Sequence, residues 1–390
     1  MKKHQSIFFI PGIIMLGIAL RTPFAVLPVV LPNIAQDLQV SVSSLGILTS
    51  IPLIMFALCS LVAPFLAQKI GLERTFALVL FFMIIGSFIR IFNVFFLYVG
   101  TVILGATIAV LNVLLPSLIQ ANKPHRIGTL TTLYITSMGL SITIASALVV
   151  PIVQFASWKG LIIALTMICC VAFLVWLPNI RHNHYLKGKE KHQKLVPLLK
   201  NKKVWALILF GGLQSLLFYT AITWLPTLAQ EAGLSNSTSG ILATIFSLIS
   251  LPFSLTVPSL TARLSSKQRM LMISSVSVLG VFGVGMLLFT VNSFLYWLFI
   301  NLFIGISVST LFPYLMVTFT LKTKTPEQTA QISGLTQTGG YILAALGPSL
   351  FGLSYDLFRS WFPAIIVLFI LGVVTTIILF YIEQFDNIME

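Results

Sequence analysis

Charge is what this sequence most lacks: only 8% of its 390 residues are charged, and just nine are acidic. A water-facing globular domain carries about a quarter charged residues, so that class is excluded. Cysteine is nearly absent as well. Cys59, Cys169 and Cys170 lie inside apolar runs, where thiols read as small packing groups, and no Cys/His spacing suits a metal. The acids (Asp37, Glu73, Glu190, Glu231, Glu327, Asp356, Glu383, Asp386 and Glu390) fall in predicted loops or at helix ends. The five histidines, His4, His125, His182, His184 and His192, fall on segments assigned to the cytoplasmic side. No carboxylate or imidazole therefore falls in the interior of an apolar run. That argues against an enzyme with hydrolytic or metal chemistry, against a proton relay of the usual kind, and for no cofactor.

What remains is hydrophobic: 57% of the residues, with a mean hydropathy of +1.03. The runs predict an all-α membrane protein of twelve spans, near 7–31, 45–66, 75–92, 95–119, 129–151, 159–180, 204–229, 240–262, 270–290, 294–318, 329–353 and 361–383. Nearly all reach the 18 or so residues that argue for crossing a bilayer. The first run is too long for a signal-peptide core, so it reads as the first helix of the mature protein.

Direction follows from the basic residues. Of the 23 Lys and Arg, all but four fall on segments that are inside if both termini are cytoplasmic. The exceptions are Lys159 and Arg359, assigned outside, and Arg21 and Arg90, within spans. The net charge of +14 thus serves topology and contact with anionic lipid. The basic stretch 181–203 lacks interleaved aromatics apart from Tyr185 and reads as a linker, with no nucleic acid as partner.

An internal repeat divides the chain. Residues 31–48, LPNIAQDLQVSVSSLGIL, and 225–242, LPTLAQEAGLSNSTSGIL, are identical at nine of 18 positions. Pro64 and Lys69 match Pro258 and Arg263, while Ser157-Trp158 and Ser360-Trp361 open the sixth span of each half. The reading is a six-helix half over 1–180, a cytoplasmic linker over 181–203 and a second half over 204–390. Two parallel halves related by an axis along the membrane normal are the arrangement of the major facilitator transporters, which bind substrate near the midplane.

Arg21 is the chief candidate for a solute contact. It sits near the middle of the first span, where insertion costs about 2.5–3.5 kcal/mol, and no span carries an acid in its interior to neutralise it. A substrate anion would supply the missing partner. Gly17, Arg21, Phe24 and Pro28 share one face of a helix that proline should kink. Arg90, near the outer end of the third span, is a secondary candidate within snorkelling reach of the headgroups. Polar interruptions elsewhere add candidates. Thr101, Gly105, Asn112 and Pro116 recur on the fourth span; Gln214, Phe218, Tyr219 and Trp224 lie on the seventh. The tenth offers Asn301 and Tyr314, and the eleventh Gly334, Gln337 and Tyr341. Small residues on such stripes often serve helix packing alone, which is the reading for Gly105 and Gly334. Asn112, Gln214, Tyr219, Gln337 and Tyr341 join Arg21 as expected substrate contacts, with Tyr314 secondary.

Several of these segments carry a family resemblance. Leu20-Arg21 with Pro23, Asn112-Val113-Leu114-Leu115-Pro116, Gln214-Ser215-Leu216 through Tyr219, and Trp224-Leu225-Pro226 are among them. So is the run from Ser333-Gly334-Leu335-Thr336-Gln337 through Gly340-Tyr341 to Leu346-Gly347-Pro348. The chain resembles the cyanate porter family of the major facilitator superfamily, which includes cyanate and 2-nitroimidazole transporters. The resemblance implies alternating access, with the first, fourth, seventh and tenth spans lining the cavity. The superfamily's loop signature after the second span is partial: it runs from Pro64 to Arg74, with Gln68 where an aspartate is common.

The expected function is secondary transport of a small, cyanate-like anion across the cell membrane, with Arg21 compensating its charge. The expected partners are that solute and the lipid bilayer, and the chain is expected to act as a monomer. Without an intramembrane carboxylate, uniport, exchange or symport of a solute-borne proton is expected. The alternative is efflux of drug-like or nitroaromatic compounds, suggested by the 12% aromatic content.

Overall fold

The computed structural model describes residues 6–25, 27–40, 45, 48, 51–186 and 198–388, and among them there is no strand. The chain opens with α1 (Phe9–Ala25) and α2 (Leu27–Leu38), then α3 (Ile51–Cys59), α4 (Val62–Ile70) and α5 (Leu72–Ile89). Two long helices follow, α6 (Val94–Asn122) and α7 (Ile127–Trp176). The second part runs α8 (Lys202–Glu231), α9 (Asn236–Leu248), α10 (Ser250–Arg263), α11 (Ser266–Met286), α12 (Phe294–Leu321), α13 (Pro326–Phe358) and α14 (Phe362–Glu383).

Among the described residues, ten helical stretches are long and apolar enough to cross a membrane, counting α7 as two and α9 with α10 as one, or eleven when α3 and α4, bent by 57°, count as one broken span. The first predicted span, 7–31, includes residues outside the described ones, so this count does not bear on it. Within that span Pro23 of α1 and Pro28 at the second position of α2 each lack an amide donor. The fifth and sixth predicted spans meet within α7, which turns at Ser157, a non-glycine residue with φ of +63°. Large apolar side chains such as Phe81, Phe95, Met167, Leu174, Leu271, Phe282 and Leu357 are exposed around these helices. A surface of this kind suits lipid as its solvent.

The chain forms two compact units: Met1–Gln193 with Thr325–Thr338, and Lys194–Lys324 with Gly339–Glu390. The first part of α13 thus belongs to the first unit. Within each unit the repeated sequence acquires a physical meaning. In the first, the Trp158 indole donates to Asp37 Oδ2 at 3.0 Å; in the second, the Trp361 indole donates to Glu231 Oε2 at 2.6 Å. Asp37 and Glu231 occupy the same place in the repeat, and each tryptophan begins the sixth predicted span of its half. The backbone repeats too: Gln39 and Gly233, 194 positions apart, both have positive φ, of 53° and 97°. Each clasp joins the end of its half's first span to the start of its last. Lys159 adds an ion pair to Asp37 at 3.0 Å. With Trp158 it holds that carboxyl below the usual carboxylate range.

Candidate functional site

Arg21 lies four residues before the end of α1, where Thr22 and Pro23 follow it. Thr22 turns its hydroxyl back onto the Ile18 carbonyl at 2.7 Å, a bond that bends helices, and Pro23 withholds the next donor. One turn earlier Gly17 brings α1 against α7, since a Cβ there would stand 2.5 Å from the Tyr134 carbonyl oxygen. The helix is therefore held tightly on one side, with a proline two residues beyond the arginine. Arg21 itself is half-buried and engages other groups of the chain. The side chains of Phe24 and Pro28, expected on the same face, lie outside the described residues.

Arg90 is placed differently from expectation. It caps α5 and is fully enclosed, at 0% exposure, rather than reaching toward headgroups. Its Nη1 donates to the Pro23 carbonyl at 3.1 Å. Nη2 donates to Ser87 Oγ at 3.3 Å and Nε to the Ser87 carbonyl at 3.4 Å. Ser87 Oγ in turn shares a 2.8 Å hydrogen bond with Thr166 Oγ1 of α7. Among the described residues no carboxylate pairs with it.

The amide candidates of the first unit meet directly. Asn112 Nδ2 donates to Gln337 Oε1 at 3.1 Å, and Gln337 Nε2 donates to Ser333 Oγ at 2.8 Å, with all three residues buried. Gly334 lets α13 approach closely, because a Cβ would lie 2.9 Å from the Ser60 carbonyl oxygen. In the second unit, Gln214 is buried and its Nε2 donates to Ser215 Oγ at 2.6 Å and to the Gly211 carbonyl at 3.1 Å. Tyr219 is half-buried, edge-on to Phe218 at 5.2 Å. Tyr341 is buried and engaged with other groups, while Gly212 packs against Gly340 and so brings α8 close to α13. Tyr314 is fully enclosed, and its hydroxyl donates to Glu383 Oε1 at 2.5 Å.

Two carboxylates assigned to loops or helix ends lie buried at the ends of their helices. Glu73, in the first turn of α5, accepts from the His184 backbone at 2.6 Å and from Asn122 at 2.9 Å, and its carboxylate meets His184 Nδ1 at 2.7 Å. Glu383, closing α14, pairs with Arg269 at 3.2 Å and Lys322 at 3.6 Å. Burial pulls the Lys322 ammonium below the usual lysine range, against the Glu383 carboxylate, which raises it. Sequence signals existed for both: an acid in a helix's first turn, and an acid closing an apolar span. Hydropathy alone does not say that they turn inward.

Two cavities lie within the units. A cleft of about 480 Å³ in the first is lined by Ile14, Ile18 and Thr22 of α1 with Ser137, Ser141 and Leu165 of α7. One of about 30 Å³ in the second includes Thr220, whose buried hydroxyl has no partner. The first has the size of a small-molecule pocket, while the second holds no more than a water.

The sequence profile of the Major Facilitator Superfamily matches residues 7–348. The uncharacterized transporter YycB of Bacillus subtilis is 33% identical over 371 residues, covering 94% of this chain and 91% of that protein. A 2-nitroimidazole transporter of Escherichia coli is 30% identical over 363 residues, 92% of this chain and 90% of its own. The cyanate transport protein CynX of Escherichia coli is 21% identical over 339 residues, 86% and 87% of the two chains. Among solved structures, the Escherichia coli fucose:proton symporter FucP superposes with a TM-score of 0.74 at 15% identity, covering 96% of this chain and 98% of that one. The proton:xylose symporter XylE gives 0.77 at 12% identity, with 96% and 95% covered. At these identities the structural likeness speaks for the fold alone.

Proposed function

The chain belongs to the major facilitator superfamily, and on that premise we propose that it moves a small, cyanate-like anion by alternating access, with Arg21 compensating the solute's charge. The observation that carries this reading is the place of Arg21. A guanidinium stands on α1, predicted at membrane depth, two residues before a proline within the helix. A cation at such depth is costly and marks a functional position by default. A solute anion offsets that cost when it binds, so closure around the loaded site becomes easier than around the empty one. The relative named as a cyanate transport protein supports the solute class. With no acid in the interior of any predicted span, the reading further assigns uniport, exchange or symport of a proton carried by the solute. It is tested by cyanate uptake into proteoliposomes. Arg21→Ala, inserted and folded as the wild type, is expected to abolish uptake, and undiminished uptake overturns the assignment.

A second reading, efflux of nitroaromatic compounds, draws on the apolar cleft beside α1 and on the relative named as a 2-nitroimidazole transporter. Cells expressing the protein would then accumulate less 2-nitroimidazole, and Arg21→Gln would leave that difference intact. Equal accumulation with and without the protein rejects it.

A further inference from the structure

We propose that Arg90 is a positioning residue: its guanidinium ties down the backbone of the first membrane helix at Pro23 and thereby fixes where Arg21 presents its charge. This rests on the reading of Arg21 as the solute's counter-charge. The fold is built around Arg90 rather than merely tolerating it. Its Cα stands at the end of α5, where a long basic side chain could snorkel to the headgroups, yet it is wholly enclosed. Gly100 makes room for it. A Cβ on Gly100 would stand 2.4 Å from the Gly86 carbonyl and 2.5 Å from Arg90 Cγ.

The direction of its hydrogen bonds gives the role. Two of the three go to Ser87, one turn back on the same helix, and hold the guanidinium in place. The third leaves α5 altogether and reaches the Pro23 carbonyl of α1 at 3.1 Å. That carbonyl lies two residues after Arg21 on α1. A donor reaching it from another helix fixes where this stretch of the α1 backbone stands. A charge-assisted bond from a planar guanidinium is well suited to this, and lysine, a point charge on a flexible stem, is not. Arg90 also places a second positive charge beside the backbone that carries Arg21, which favours an anion over a cation at that helix.

The test combines two measurements on full-length protein purified in detergent and reconstituted. Hydrogen–deuterium exchange over residues 20–28 reads the α1 backbone, and cyanate uptake reads the site. Arg90→Lys keeps the charge, while Ser87→Ala removes the support and spares Arg90 should the first variant fold poorly. Both are expected to speed exchange in this segment and to raise the KM for cyanate about tenfold, as when a ligand's supporting partner is lost. The maximal rate per folded protein should change less. A merely structural role would lower the folded fraction and leave the KM of the remainder unchanged, and that result overturns the proposal. So does unchanged exchange over 20–28 in both folded variants. If Arg21→Gln transports cyanate normally, it is the anion reading that fails, and the exchange measurement still decides whether Arg90 holds the helix.

Discussion

Asn112 and Gln337 spend amide groups on one another, so a solute that used them would have to compete with a bond already made. Interhelical hydrogen bonds in membranes are worth about 0.6 kcal/mol on average and about 1.7 at most. A double-mutant cycle with Asn112→Ala and Gln337→Ala should return a coupling within that range, measured by the stability of detergent-purified protein. Glu383 is the opposite case, because Arg269, Lys322 and Tyr314 all converge on it. Glu383→Ala leaves two cations without their carboxylate and should destabilise the second unit by about 3–5 kcal/mol. A fall in melting temperature well beyond that of Asn112→Ala would bear this out. The sequence exposes such residues unevenly. Arg21 and Arg90 stand out because charge in an apolar run is rare. Whether a terminal charge turns outward or inward depends on neighbouring helices, which is why Arg90 read as snorkelling and Glu73 and Glu383 as peripheral.

At the scale of elements, the loop between α4 and α5 turns on Gly71, whose φ of +92° suits glycine, and a Cβ there would meet the Asn183 amide at 2.0 Å. Asn183 itself donates to the Ile70 carbonyl at 2.9 Å. Gly71→Ala should therefore cost about 1–3 kcal/mol in backbone strain alone, with the steric clash in addition. Thermal unfolding of the purified variant measures it. The Trp158–Asp37 clasp gives a prediction in pH. Lys159 first, and Trp158 with it, keep the Asp37 carboxyl below its ordinary value. A lowered carboxyl stabilises the fold above its unfolded-state pKa and loses that contribution as pH falls through the folded value. The melting-temperature gap between wild type and Asp37→Asn should then narrow below about pH 4, whereas a gap constant with pH would mean the clasp is not electrostatic. Most helices were legible from apolar length.

The whole molecule carries its duplication in the residues that do mechanical work. The repeat was visible because Asp37 and Glu231 with their tryptophan partners make the same clasp in each half, and few other sequences satisfy that geometry. The grouping of residues 325–338 with the first unit was not visible, because it arises from contacts such as Asn112–Gln337 that join positions 225 apart in the chain. Membership of a transporter superfamily sets the class of function, and the central claim is that Arg21 reads the charge of the solute. The most direct test is the thermal stability of detergent-purified protein titrated with cyanate, alongside Arg21→Gln. Binding to the folded state stabilises by mass action, about 2.7 kcal/mol at a hundredfold excess over Kd. The account predicts a concentration-dependent rise in melting temperature for the wild type that is lost in Arg21→Gln. An equal rise in both proteins would contradict it.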